Sequence, residues 1–126
     1  MIGHPKPEKK WRSEPYRKLV ASMPCINCNI AGRSQAAHMN LACLGKGMAT
    51  KVSDAFIFPL CAPTFGARGC HGLLDQGGIY DKSTSEALQW KWLQEFRTGM
   101  QRRRLWPDEA ERQVSQAVRQ FLERAA

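Results

Sequence analysis

Apolar residues recur at helical spacing in three segments of the chain, and the first lies near the N-terminus. This segment begins at Ser13, a residue type that caps helices, and Pro24 ends it. Pro15 falls in the first turn, where proline is tolerated. The apolar positions are Tyr16, Leu19, Val20 and Met23. The pattern predicts a helix that packs one face on a core.

Two further helices are predicted at the C-terminal end, over residues of about 83–124. Ser83 and Glu86 have the spacing of a capping box. The stripe that follows consists of Leu88, Trp92, Leu93, Phe96 and Met100. Pro107 starts the last helix, whose stripe is Ala110, Val114, Ala117, Val118, Phe121 and Leu122. Both stripes are typical of core packing.

The middle of the chain has a different pattern, with many glycines and short extended pieces. Residues 36–38 and 56–58 are the extended pieces, and they indicate a small hairpin among loops. A short helix is predicted over residues 70–76, which Gly77 and Gly78 stop. Helices flanking a small hairpin predict the α+β class.

The 126 residues suit one domain. Residues 1–12 are rich in Lys and Pro and predict a mobile basic arm, and residues 13–126 form the domain, with its core at about 22–80. No stretch reaches the roughly 20 apolar residues of a membrane span, and residues 1–10 lack the apolar centre of a signal peptide. We therefore expect a cytoplasmic protein with no membrane partner.

The charge balance indicates a nucleic-acid partner. Nineteen Lys and Arg residues stand against eleven Asp and Glu, a formal net charge of +8. An excess of this size attracts a polyanion, and DNA is the partner we expect. The expected contacts include Lys46, Lys51, Arg102, Arg103 and Arg104. The alternative for the arginine run is a solvated surface.

Five cysteines carry the clearest chemistry. Cys25 and Cys28 have the C-x2-C spacing that brings two thiolates to one metal ion. Cys61 and Cys70 are the best candidates for the second pair, although eight residues separate them. Four thiolates predict a structural zinc site, because no open position remains for a substrate. The alternative is four unrelated thiols, and Cys43 is interpreted as a free cysteine.

Two histidines lie next to this cysteine framework. His71 follows Cys70 directly, and Asp75 lies one helical turn further on, so the two side chains can share one divalent cation. His38 lies in an extended segment and can accept a proton from water near neutral pH. A cation at His71 and Asp75 would neutralise charge on a phosphate under attack. The alternative for His38 is a polar residue satisfied in the core.

These residues together resemble the phage and prophage HNH endonucleases, and within that class the recombination-enhancement nucleases. The resemblance spans about residues 11–76 and rests on order, spacing and residue type. The matching positions, in chain order, are the run from Ser13 to Cys28, Ala37, His38, Gly47, Met48, Lys51, Asp54, Pro59, Leu60, Cys61, Cys70 and His71. The resemblance implies a ββα-metal core, a hairpin and a helix around a catalytic Mg²⁺ or Mn²⁺, with a cysteine-bound Zn²⁺ beside it.

The resemblance also implies individual roles. His38 corresponds to the general base, and Asp54 falls near the position whose side chain holds the base in place. His71 and Asp75 correspond to ligands of the catalytic cation. Many members carry a further ligand directly before the base, where this chain has Ala37.

The sequence therefore predicts a metal-dependent DNA endonuclease, phage-encoded and linked to recombination, with a recombinase as a possible further partner. The rival hypothesis is a zinc-stabilised nucleic-acid-binding module without catalysis. A pure binder has no need for His38, His71 and Asp75, and this distinguishes the two. A third hypothesis, a redox protein using Cys25 and Cys28, lacks the βαβ context of that class.

Overall fold

The computed structural model describes residues 10–40, 52–63, 69–75 and 80–125, and of Asp75, Phe121, Arg124 and Ala125 the backbone alone. Within these ranges the chain forms four helices and a two-stranded sheet. Their order is α1 (Glu14–Ala21), β1 (Ser34–His38), β2 (Ile57–Cys61), α2 (Gly69–Asp75), α3 (Lys82–Arg102) and α4 (Asp108–Ala125). The predicted α+β class is confirmed.

Helix α1 forms as its pattern predicts. Ser13 has extended backbone, and its hydroxyl accepts a hydrogen bond from the Tyr16 N–H at 3.2 Å. This bond satisfies one of the amide groups that a helix start leaves without a partner. Tyr16 and Val20 are buried, so α1 turns its apolar stripe to the core. The helix ends at Ala21, two residues before Met23.

The sheet is an antiparallel pair in which Ser34 lies opposite Cys61 and His38 lies opposite Ile57. Every residue of β2 is buried, because α1, α2 and α3 all contact this strand. Phe58 packs edge-on against Trp92 of α3, with ring centroids 5.7 Å apart. The sheet therefore lies at the centre of the core, and its two ends position the side chains discussed below.

Helix α3 begins earlier than the sequence predicts. Asp81 is the capping residue, and its carboxylate accepts the Thr84 N–H at 2.7 Å. The capping box predicted at Ser83 is wrong, because Ser83 is already the second helical residue and a cap needs the extended backbone that Asp81 has. The apolar stripe predicted for α3 is confirmed, because Trp92, Leu93 and Phe96 are buried.

Helix α4 packs on the core through its first half. Ala110 and Val114 are fully buried, whereas the Leu122 side chain is 62% exposed. The predicted stripe therefore differs at its far end, where Leu122 extends past the core. An ion pair ties α4 to α3, with Arg97 Nη2 lying 2.5 Å from Glu111 Oε2. None of the described helices is long and apolar enough to cross a membrane.

Residues 10–12, which the sequence analysis placed in the arm, are described with the fold. Trp11 packs against the core and lies 5.3 Å from the Tyr16 ring, measured between centroids. The Trp11 carbonyl accepts the Asp54 N–H at 2.9 Å. Contact with the core therefore begins before residue 13, and residues 1–9 of the predicted arm lie outside the described residues.

Candidate metal centre and histidine site

Four cysteines form a cluster that can hold a metal ion such as zinc. The Sγ atoms of Cys25, Cys28, Cys61 and Cys70 all lie within 4.8 Å of one another. Cys28 Sγ and Cys61 Sγ are 3.8 Å apart. Sulfur atoms bound tetrahedrally to one zinc ion, at about 2.3 Å each, lie about 3.8 Å apart. The cysteine pairing predicted from the sequence is the one that the fold brings together.

The backbone around the cluster directs donors at the sulfur atoms. The Cys28 N–H lies 3.5 Å from Cys25 Sγ, and the Cys70 N–H lies 3.2 Å from Cys61 Sγ. Asn27 adds its side-chain amide, with Nδ2 at 3.4 Å from Cys70 Sγ. Donors aimed at sulfur stabilise the ionised thiolate, which is the form that binds metal. Sequence reasoning missed Asn27, because its contact depends on where α2 starts.

Gly69 lets the chain return to the cluster after the eight residues that separate Cys61 from Cys70. Its φ is +68°, in the left-handed region. A Cβ at this position would lie 2.6 Å from the Cys61 carbonyl oxygen and closer still to that of Ala62. Only glycine tolerates both conditions. The long spacing is therefore compatible with one site.

The surroundings of Cys70 and Cys25 shift the pKa values of these two thiols in opposite directions. Burial raises the pKa of Cys70, and the neighbouring Cys61 and Cys25 add to this and outweigh the hydrogen bond from Asn27, so it reaches about 12. Burial also opposes ionisation of Cys25, but surrounding N–H groups outweigh it and lower its pKa to about 7. Thiolates so close repel each other, and a bound cation removes that repulsion. The donor set therefore suits a divalent metal.

The second group is built on Asp54, whose carboxylate is completely buried. His38 lies at the end of β1 with a side chain 19% exposed, and its Nε2 is 2.8 Å from Asp54 Oδ1. The other oxygen, Oδ2, accepts the Ser13 N–H at 2.7 Å and Arg17 Nη1 at 2.5 Å. Arg12 Nη1 lies 3.3 Å from Oδ1. The pair that the resemblance implied is in direct contact.

These contacts determine the protonation states. Burial raises the pKa of Asp54, but hydrogen bonds from Ser13, His38 and Arg17 outweigh it, and the net pKa lies below the ordinary value. Asp54 is therefore ionised at neutral pH and accepts hydrogen bonds only. His38 must then donate from Nε2, so in the neutral ring the proton-accepting lone pair is on Nδ1.

His71 lies on α2 and contacts the other face of β1. Its Nδ1 is 2.7 Å from Gln35 Oε1. Alternation along the strand puts Gln35 and Ala37 on one face and His38 on the opposite face. The Gln35 oxygen accepts from Nδ1, so the lone pair of the neutral ring is on Nε2. The Asp75 backbone has the predicted helical spacing, and its side chain lies outside the described residues.

The structure describes three of the five predicted DNA contacts. Arg102, Arg103 and Arg104 are exposed where α3 ends. Arg103 Nη1 lies 3.1 Å from Met23 Sδ, close in sequence to Cys25. Lys46, Lys51 and Cys43 lie outside the described residues. The sequence does not indicate that Arg17 contacts Asp54, because the spacing within α1 does not reveal a contact with a residue 37 positions away.

One family model matches the chain, with the description "Protein of unknown function (DUF968)", over residues 1–67. The match includes α1, both strands and the Asp54 group, and it stops before α2. No curated protein and no solved structure matches the chain. Since the matched residues are more than half of the 126, the chain belongs to the DUF968 family.

Proposed function

We propose that this protein is a metal-dependent endonuclease that hydrolyses phosphodiester bonds in DNA, with His38 as the general base. The contact between His38 and Asp54 carries the proposal. A buried carboxylate that holds one imidazole nitrogen fixes the ring and its tautomer, as a general base requires. A histidine that only completed a core would have no need of a partly exposed ring and a wholly buried acid.

The order of elements supports an HNH assignment. The strands β1 and β2 are followed by the short helix α2, and the four cysteines lie where these elements meet. In this proposal the cysteine cluster binds one Zn²⁺ that is structural. The zinc would hold the hairpin and α2 together, since a helix of seven residues is too short to be stable alone.

The catalytic cation, Mg²⁺ or Mn²⁺, would be held by His71 and Asp75 with the phosphate of the substrate. It would stabilise negative charge on the phosphate and on the leaving oxygen. His38 would accept a proton from the attacking water at Nδ1, while Asp54 keeps the ring in place. Gln35 would fix the orientation of the His71 ring by accepting a hydrogen bond from its Nδ1, as such partners do for metal-binding histidines.

The decisive experiment is cleavage of supercoiled plasmid with Mg²⁺ or Mn²⁺ by wild type and His38→Ala. We expect the substitution to lower the cleavage rate at least about 100-fold, because a general base contributes that much. DNA affinity and zinc content should remain near those of wild type, since the base makes little contact with the ground state. Cleavage by His38→Ala at the wild-type rate would show that His38 is not the base.

A second candidate is a zinc-stabilised DNA-binding module without catalysis. Two observations favour it. Ala37 is fully buried at the position where HNH nucleases carry a further ligand. Alternation along β1 also puts Gln35, the partner of His71, on the strand face opposite His38, which separates the proposed cation ligand from the proposed base. Under this candidate the protein binds DNA, and neither Mg²⁺ nor Mn²⁺ produces cleavage by wild type. The same plasmid experiment therefore separates the two functions.

A further inference from the structure

Two guanidinium groups, those of Arg12 and Arg17, contact the carboxylate of Asp54. Asp54 is the one acidic side chain in contact with Arg17 among the residues that the structure describes. An anion placed beside His38 would be attracted to the positive charge of Arg17.

Arg17 is placed to reach such an anion. Its Nη1 binds Asp54 Oδ2, whereas His38 binds Oδ1 of the same carboxylate, so the two side chains are neighbours across Asp54. The Arg17 side chain is 36% exposed, although its partner is completely buried. A guanidinium has five N–H donors in a planar fork, and the contact with Asp54 leaves donors for a second, bidentate partner.

We propose that Arg17 binds a phosphate of the DNA strand at the His38 site, while Asp54 holds its guanidinium in place. The proposal rests on the proposed function for its choice of DNA as the ligand. It assigns a phosphate contact to a residue of α1, outside the ββα elements. Phosphate oxygens match the arginine fork, and an arginine already held by a carboxylate loses little further freedom on binding.

The alternative is that Arg17 acts only as the partner of Asp54. Salt dependence separates the two roles, because each phosphate contact contributes about 0.9 to the slope of log K against log salt. This slope does not depend on the fraction of active protein. The probe is a 30-bp DNA duplex, titrated without divalent metal at several salt concentrations. The variants are Arg17→Gln and the control Lys18→Gln, which removes a charge from the adjacent residue.

We expect Arg17→Gln to weaken duplex binding about tenfold and to lower the slope by about one, because it removes one charge-assisted contact. Lys18→Gln should leave the slope near that of wild type. In an Asp54→Asn background, Arg17→Gln should again lower the slope. If Asp54→Asn loses its zinc or its helix content, the test uses Arg17→Lys in its place. This variant keeps the positive charge at position 17, so it should retain the wild-type slope.

An unchanged slope in Arg17→Gln would overturn the proposal, and so would a loss confined to the background that contains Asp54. These outcomes are separate from those of the nuclease proposal. A protein that never cleaves plasmid, but loses one unit of slope in Arg17→Gln, has the phosphate site without the activity. A protein that cleaves, with the same slope in wild type and Arg17→Gln, has the activity without this contact.

Discussion

Asp54 organises the histidine site because its two oxygens accept from four groups: Ser13 N–H, Arg12, Arg17 and His38. None of these contacts is between close neighbours in sequence. Since the folded pKa of Asp54 is below its ordinary value, its contribution to stability is present at neutral pH and is lost as the carboxylate protonates in acid. Removal of this one side chain would leave several donors without their shared acceptor.

At Gly69, substitution by alanine should destabilise the cysteine cluster. The residue has a positive φ, and the new Cβ would press on the Cys61 carbonyl oxygen. We expect a loss of about 2–3 kcal/mol in the free energy of unfolding, measured in urea, together with weaker zinc retention.

Gly99→Ala is the matched control, because this glycine is helical and a Cβ there would meet nothing within 4 Å. It should stabilise the protein by roughly 0.5–1 kcal/mol, since alanine is the better helix former. Equal stability of the two alanine variants would show that the close approach at Gly69 is not needed.

Among the helices, α4 depends on a local polar network for its attachment. Glu111 accepts from Arg97 of α3 and from the Trp106 indole N–H, the latter at 2.9 Å. Hydrogen bonds from Arg97 are the main cause that lowers the Glu111 pKa to about 2. The contribution of this network should therefore be complete above about pH 4.5 and should be lost as the pH falls towards 2.

Tryptophan fluorescence in an acid titration tests this network around Glu111. We expect a change centred near pH 2, the folded pKa of Glu111, that reports Trp106 as its partner protonates. Glu111→Gln should remove this step, because glutamine does not titrate. Glu123→Gln is the control on the same helix and should keep it. Identical titrations of wild type and Glu111→Gln would assign the change to another carboxyl group, such as Asp54.

On the scale of the whole molecule, the cysteine cluster joins three parts of the chain: the turn after α1, the end of β2 and the start of α2. The described core is small, and a metal that cross-links distant residues stabilises such a domain. Its loss would release the attachment of α2 and of the turn together.

We expect purified protein to contain about one zinc per chain, and a chelator to lower the melting temperature and the helix content. Cys28→Ser should lose the metal and reproduce the effect of the chelator. Cys43→Ser, which changes a cysteine outside the proposed ligand set, should retain both metal and stability. A folded, untreated sample without zinc would contradict the assignment.

The elements could be predicted to different extents. Helices α1, α3 and α4 were located by periodicity, since a repeat of 3.6 residues is a local property of the chain. Periodicity did not show how much of α4 is buried, because the length of a helix that contacts the core depends on where the other elements lie. The exposed Leu122 illustrates this. The choice of Asp81 over Ser83 as a cap depended on backbone angles that neighbouring residues of similar type do not reveal.

The sequence by itself determined which residues form the candidate metal centre. Cysteine spacing identified all four members of the cluster, because a C-x2-C pair brings two thiolates to one metal ion and a second pair is needed to complete the site. The sequence also singled out His38 through its place beside the cysteine framework, and Asp54 through a resemblance. The placement of a glycine before Cys70 was visible in the sequence, although its function as a close-approach residue was not.

The tertiary structure alone decided which side chains surround these residues. Arg17 and Asp54 are 37 positions apart, Gln35 and His71 are 36 apart, and Asn27 and Cys70 are 43 apart. Such pairs form only after the strands and helices have packed, so spacing along the chain carries no record of them. The reason is physical: a buried carboxylate takes the nearest donors in space, and those are selected by the fold as a whole.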